Sequence, residues 1–168
     1  MSESQQTALR SPAIAVPGDL GWHLATILRA YQSRFEEATD GMPEGIRGYQ
    51  VLSTVVHRNP PNQQALGAHL AIDRTVLTYL LDNLVAAGVV ERVPAPSDRR
   101  ARKIEPTQKG REVLARYEQR VADAEAALLD GLPTHTAHLF REQTADLAGE
   151  VHRAEPGADP CKAINNLS

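Results

Sequence analysis

The chain has 168 residues, 42% of them hydrophobic, and a formal net charge of −3. That length suits one domain with a sizeable core, and no stretch approaches the roughly 18 uninterrupted apolar residues that a membrane-spanning helix needs. The one cysteine, Cys161, can form no internal disulfide and suits a reducing cytoplasm; no charged segment followed by an apolar run opens the chain, so a signal peptide is not expected.

Residues 1 to about 18 are polar, with Pro12, Pro17 and Gly18, and read as a flexible arm. A first helix over about 19–39 carries the stripe Leu20, Leu24, Ile27, Tyr31 and Phe35, joined by Trp22 and Leu28. Asp40-Gly41-Met42-Pro43 breaks it. A second helix runs from about Ile46 to His57, with Tyr49, Leu52, Val55 and Val56 inward. After the breaker Asn59-Pro60-Pro61-Asn62, Gln63 to Leu70 forms a short helix. Leu66 and Leu70 point inward, Gly67 and Ala68 permit close approach, and Ile72 plugs the connection. Two helices joined so tightly cross at a large angle, as in a helix-turn-helix.

Asp73 opens the next helix, because its carboxylate can accept from the free N–H groups of the first turn. Val76, Leu80 and Leu84, flanked by Leu77 and Leu81, are read as its buried face. Arg74, Thr75, Thr78, Tyr79 and Asp82 share the opposite face. A polar helix face alone is most often just solvated. Here it belongs to the second helix of a helix-turn-helix, whose N-terminal side chains read base edges.

Gly88 releases the chain from that helix. Val89 to Val93 then reads as a strand, and Arg102 to Glu105 can pair back with it. The intervening Pro94–Ala101 segment is turn chemistry bearing exposed cations. Arg92 to Arg111 holds seven basic residues against two acidic ones, a net of +5, while the remaining 11 basic and 19 acidic residues leave −8. A basic cluster in an acidic chain is the footprint of a phosphate-binding surface.

Thr107 caps a long helix in which Leu114, Tyr117, Val121, Ala124 and Leu128 repeat at 3-4-3-4 spacing, a helix–helix seam. Gly131-Leu132-Pro133 ends it. A last helix from about Pro133 to Arg153 places Phe140, Thr144, Leu147 and Val151 at 4-3-4 spacing. Both end helices have more apolar face than a thin single domain can cover, so pairing with a second subunit is expected. Residues 154–168 read as a loose tail.

The Asp73–Gly110 stretch, with its pattern D-R-T-V-x-T-x-L-x-D-x-L followed by G-x-V-x-R-x-P-x-P-x-D-R-R-A-R and T-x-x-G, resembles the signature of the MarR family of winged helix-turn-helix transcription regulators. The resemblance is close over 62–110 and looser, in helix order and length, over about 19–153. It implies a mainly α fold with a small β-hairpin wing. On this reading 1–18 is the arm and 19–153 is a single domain, with the winged helix-turn-helix at about 46–106. Dimerisation helices occupy about 19–39 and 107–153, and 154–168 is the tail. The resemblance further implies that Asp98 orients Arg100 into a minor groove, that the protein is an obligate homodimer, and that a small molecule relieves repression.

The expected function is therefore a cytoplasmic, homodimeric, sequence-specific DNA-binding regulator, read as a ligand-released repressor. Arg74, Thr75, Thr78 and Tyr79 are the candidate contacts of the helix, and Asp98, Arg99, Arg100 and Arg102 those of the wing. The partner is double-stranded DNA bearing a pseudo-palindrome. Two alternatives stand beside this reading: a winged-helix protein-interaction module that does not bind DNA, and an activator of the same fold. Trp22, His23, Tyr31, Arg47 and Tyr49 are the candidate lining of an effector pocket, against the plainer reading that they are core or interface residues.

Other chemistries find little support. His135 and His138 have i, i+3 spacing but no accompanying ligand motif, and a solvated helix start explains them better than a zinc site. Thiol-based sensors of the resembled family carry a reactive cysteine in the first helix, where this chain has none, and Cys161 lacks an activating neighbourhood. No nucleophile-elbow, phosphate-loop or metalloprotease motif is present. No enzyme activity, metal or cofactor is expected.

Overall fold

A computed structural model describes residues 18–96, 98 and 100–154. The arm before Gly18, Arg99, and the tail beyond Ala154 with Cys161 lie outside the described residues. Among the described residues six helices and one hairpin follow in the order α1 (Asp19–Ala38), α2 (Gly45–Arg58), α3 (Gln63–Leu70), α4 (Arg74–Ala86), β1 (Val90–Pro94), β2 (Arg102–Pro106), α5 (Gln108–Leu129) and α6 (Thr134–Ala154). The strands pair antiparallel, Val90 opposite Pro106 and Pro94 opposite Arg102. This is a mainly α fold with a hairpin wing.

One core joins α2, α3, α4, the hairpin and the first half of α5. Val51, Leu52, Leu66, Leu81, Leu84 and Val89 are fully enclosed in it, with Leu77, Val90, Ile104 and Leu114 around them. A smaller cluster, Phe35, Ala38 and Val121, ties α1 to α5. Arg120 reinforces that junction by donating to the Glu37 and Asp40 carbonyls at the end of α1, so a cation satisfies acceptors that a helix end leaves open.

Local chemistry sets the element boundaries. Asn62 caps α3 by accepting from the Ala65 N–H at 2.8 Å. Thr107 caps α5 by accepting from Gly110 N–H at 2.9 Å, and donates to the Gly88 carbonyl at 2.7 Å. A single threonine thus starts α5 and binds it to the turn that ends α4. Gly110 is required there, since a Cβ would lie 1.9 Å from the Val89 carbonyl oxygen.

Three expectations from the sequence change. Val76 is exposed, whereas Leu77, Leu80, Leu81 and Leu84 are buried. Steps of four residues overrun a helical turn by about 40° each, so with Leu84 centred on the core Val76 has swung out of it. The first part of the α5 seam is spent within the chain: Leu114 and Tyr117 sit in the main core, Val121 packs on Phe35 and Ala38 with Ala124 beside them, and Leu128 stays half-exposed. Ala68 is exposed, and the close approach of α3 to α4 belongs to Gly67, whose Cβ position lies 3.1 Å from Leu77 Cδ2.

Candidate nucleic-acid interface

The turn between α3 and α4 is the origin of the site. Ala71 adopts a left-handed conformation, with φ at 48°, and Ile72 donates its N–H to the Gly67 carbonyl at 3.0 Å while burying its side chain. The chain is then aimed so that Asp73 caps α4, its Oδ1 accepting from Thr75 N–H at 2.8 Å and Val76 N–H at 3.4 Å. Those N–H groups favour the charged carboxylate and hold its pKa below the ordinary carboxylate value.

Arg74, Thr75, Thr78 and Tyr79 are all exposed on α4. Thr78 Oγ1 donates to the Arg74 carbonyl at 2.8 Å and accepts from Gln63 Nε2 at 3.4 Å. Gln63 therefore reaches from the start of α3 to the outward face of α4. The expected contacts included no residue of α3; the signal was a polar run, Asn62-Gln63-Gln64, at the head of the helix that crosses α4.

The wing stands beside this face and is anchored to it. Arg92 on β1 donates to Asp82 Oδ1 at 2.6 Å and to the Thr78 carbonyl at 3.5 Å. At the tip, Asp98 Oδ1 accepts from the backbone N–H of Arg100 at 2.8 Å, and Ala101 N–H donates to the Asp98 carbonyl at 3.0 Å. Asp98 thus fixes the backbone turn from which Arg100 projects, a side chain substituting for a backbone turn partner.

These details divide the basic cluster. Arg92 is paired with Asp82, Lys103 with Glu105 at 3.0 Å, and Lys109 donates to the Ala87 carbonyl at the end of α4 at 2.7 Å. Arg92 and Lys109 tie the wing and α5 to α4, while Lys103 is paired within β2 itself. Arg100 and Arg102 instead join Arg74 on the wall of a groove of about 900 Å³ between α3, the head of α4 and the wing. Gln63, Thr78 and Asp98 share that wall. Three guanidinium groups round a concavity beside an N-terminal helix face form an arrangement able to grip polyanions, because each offers several donors in a fixed fork.

Of the candidate effector residues, Tyr31 and Tyr49 meet on Phe35, whereas Trp22 and His23 lie towards the other end of α1. Tyr31 stacks on Phe35 with ring centroids 5.6 Å apart, and Tyr49 meets Phe35 edge-on at 5.3 Å. Burial, then the nearby Glu118, Tyr31 and Glu125, pushes the Tyr49 hydroxyl up to about 12; burial and Glu125 raise that of Tyr31. Arg47 is half-buried on the first turn of α2. Trp22 and His23 pair with each other at 5.4 Å, near the other end of α1, and Trp22 is exposed. Among the described residues no group of three or more His, Cys, Asp or Glu is placed to hold a metal ion.

Residues 48–101 match the model of the MarR family. A protein of Thauera aromatica described as a candidate transcriptional regulatory protein for the hcr operon is 29% identical over 144 residues, covering 77% of this chain and 84% of that protein. Among solved structures, a cysteine-to-serine variant of MarR from E. coli superposes with a TM-score of 0.69 at 22% identity, over 80% of this chain and 98% of the other. The same variant complexed with operator DNA gives 0.61 at 22%, over 76% and 92%. CouR from Rhodococcus jostii, bound to p-coumaroyl-CoA, gives 0.62 at 26%, over 81% and 96%.

Proposed function

We propose, since this chain belongs to the MarR family of transcription regulators, that it binds a pseudo-palindromic DNA operator as a homodimer and represses transcription until a small molecule releases it. The groove lined by Arg74, Arg100 and Arg102 carries the DNA reading. Arg74, Thr75, Thr78 and Tyr79 enter the major groove from α4. Asp98, Arg99, Arg100 and Arg102 form the wing contact, with Arg100 in the minor groove, where narrow A·T-rich DNA concentrates negative potential.

The homodimer reading rests on apolar surface that the described residues leave uncovered. Leu20, Trp22 and Leu24 on α1 are exposed, and α6 buries no residue at all, leaving Leu139, Phe140, Leu147 and Val151 in the open. Contiguous apolar faces of this kind mark association surfaces. A second copy supplies the matching faces and sets two α4 helices about one helical turn of DNA, roughly 10 base pairs, apart.

The effector reading rests on the aromatic cluster at the α1–α2–α5 junction and on the acyl-CoA thioester carried by CouR. That junction lies between the α1 face offered to a second copy and the core that carries α4, so a ligand there would act on both. Selection from a random DNA pool, followed by gel-shift titration, tests the DNA reading. The expected product is one inverted repeat bound with steep salt dependence; an unenriched pool refutes it.

A further inference from the structure

We propose that Val76 reads the operator by covering the C5-methyl group of a thymine. This inference rests on the DNA-binding reading above and deepens it by assigning a base preference to a residue that the leucine spacing had placed in the core. Val76 is 47% exposed on the first turn of α4, whereas Leu77 beside it is 2% exposed. It is one helical turn from Tyr79, which is 65% exposed, and Thr75 adjoins both. Together they make a short, partly apolar ridge on the N-terminal half of α4. Arg74, Leu77 and Thr78 of the same two turns line the cationic groove from another face of the helix.

Valine has no donor or acceptor, so a phosphate offers it nothing. The apolar feature of a major groove is the thymine methyl, which no other standard base carries. Valine is also suited to the task by its stiffness: branching at Cβ leaves one strongly preferred rotamer in a helix, so its methyl groups are presented with little entropy left to lose. The backbone beneath it is fixed, because Val76 N–H donates to the Asp73 cap. A cap that sets the first turn therefore also sets the height of the apolar ridge.

The test uses the full-length protein and the sequence recovered by selection. Each thymine of that sequence is replaced in turn by deoxyuridine, which removes the methyl group and keeps base pairing. For the wild type, one replacement per half-site should weaken binding roughly threefold to fivefold, the worth of one methyl group removed from water. Val76→Ala should bind the unmodified sequence more weakly by a similar factor and show no further loss at that replacement. Val76→Ser, equally small and hydrophilic, should behave alike, and circular dichroism should show both variants folded, since the position is on the surface. Uracil-insensitive binding by the wild type, or full uracil sensitivity retained in Val76→Ala, overturns the inference while leaving the DNA reading intact. Failure to recover any specific sequence refutes both.

Discussion

Between Met42 and Tyr117 the large aliphatic side chains close on one another: Leu52, Leu66, Leu81, Leu84 and Val89 have no exposed surface. Along α6 no side chain is buried, and along the first half of α1 Leu20, Trp22 and Leu24 are open. The two regions put their apolar residues to opposite ends. The winged module completes its core within one chain, so its stability is intramolecular. The outer helices carry stripes that none of the described residues covers, and on the proposed homodimer reading their contribution depends on concentration. Polar chemistry follows the same division, because the wing is held by Arg92–Asp82 and by Thr107 bridging Gly88 to α5, while α6 is tied back to α5 by Arg141–Glu125.

Charging the outer faces should break this contrast most severely. Leu24→Glu combined with Leu147→Glu is expected to leave the module folded but monomeric, and to lower DNA affinity by about a hundredfold or more, as loss of the second binding event removes its effective concentration. Sedimentation and gel shift on the same preparation check it; a variant that stays dimeric would place the interface elsewhere. Gly110→Ala attacks the other region. A methyl group 1.9 Å from the Val89 carbonyl oxygen must displace that carbonyl, which also accepts from Thr107 N–H. The expected loss is about 3 kcal/mol of stability, the upper end for overpacking, read by chemical denaturation.

Smaller perturbations sharpen the picture. Thr107→Ala removes a cap and the bridge to Gly88 and should cost about 1–2 kcal/mol. Asp73 gives a pH signature. Its folded-state pKa is lowered by the α4 N–H groups, so its stabilisation is fully present above the ordinary carboxylate value and disappears as the pH falls through the lowered one. Asp73→Asn keeps a good cap without titrating. The wild type should therefore lose stability relative to Asp73→Asn on acidification, and parallel pH profiles for the two proteins would remove Asp73 from that role.

The sequence patterns that proved informative were those with a local cause. Asn62, Asp73 and Thr107 all cap the helices they precede, because an N-cap depends only on residues three or fewer positions away. The hairpin was visible in its β-branched strand and its turn residues for the same reason. Val76 was misjudged because spacing identifies a stripe but not where its centre lies. The internal use of the α5 seam was hidden too, since heptad-like spacing describes a face without naming what packs on it. Division of the basic cluster into anchoring Arg92 and Lys109, internally paired Lys103, and groove-facing Arg74, Arg100 and Arg102 needed three-dimensional pairing. Gln63 and Thr78 are 15 residues apart in sequence, and only the crossing of α3 over α4 brings them together.

Arg100 offers the most direct test of the central claim, that the wing and the head of α4 together grip DNA. It projects from a turn fixed by Asp98 and, being exposed at the tip, supports no part of the core. A gel-shift titration of Arg100→Ala against the wild type, on the selected operator at one fixed salt concentration, should show a loss of about 1–3 kcal/mol, or roughly fivefold to 150-fold, with thermal stability and dimerisation unchanged. Equal affinity of the two proteins would contradict the account.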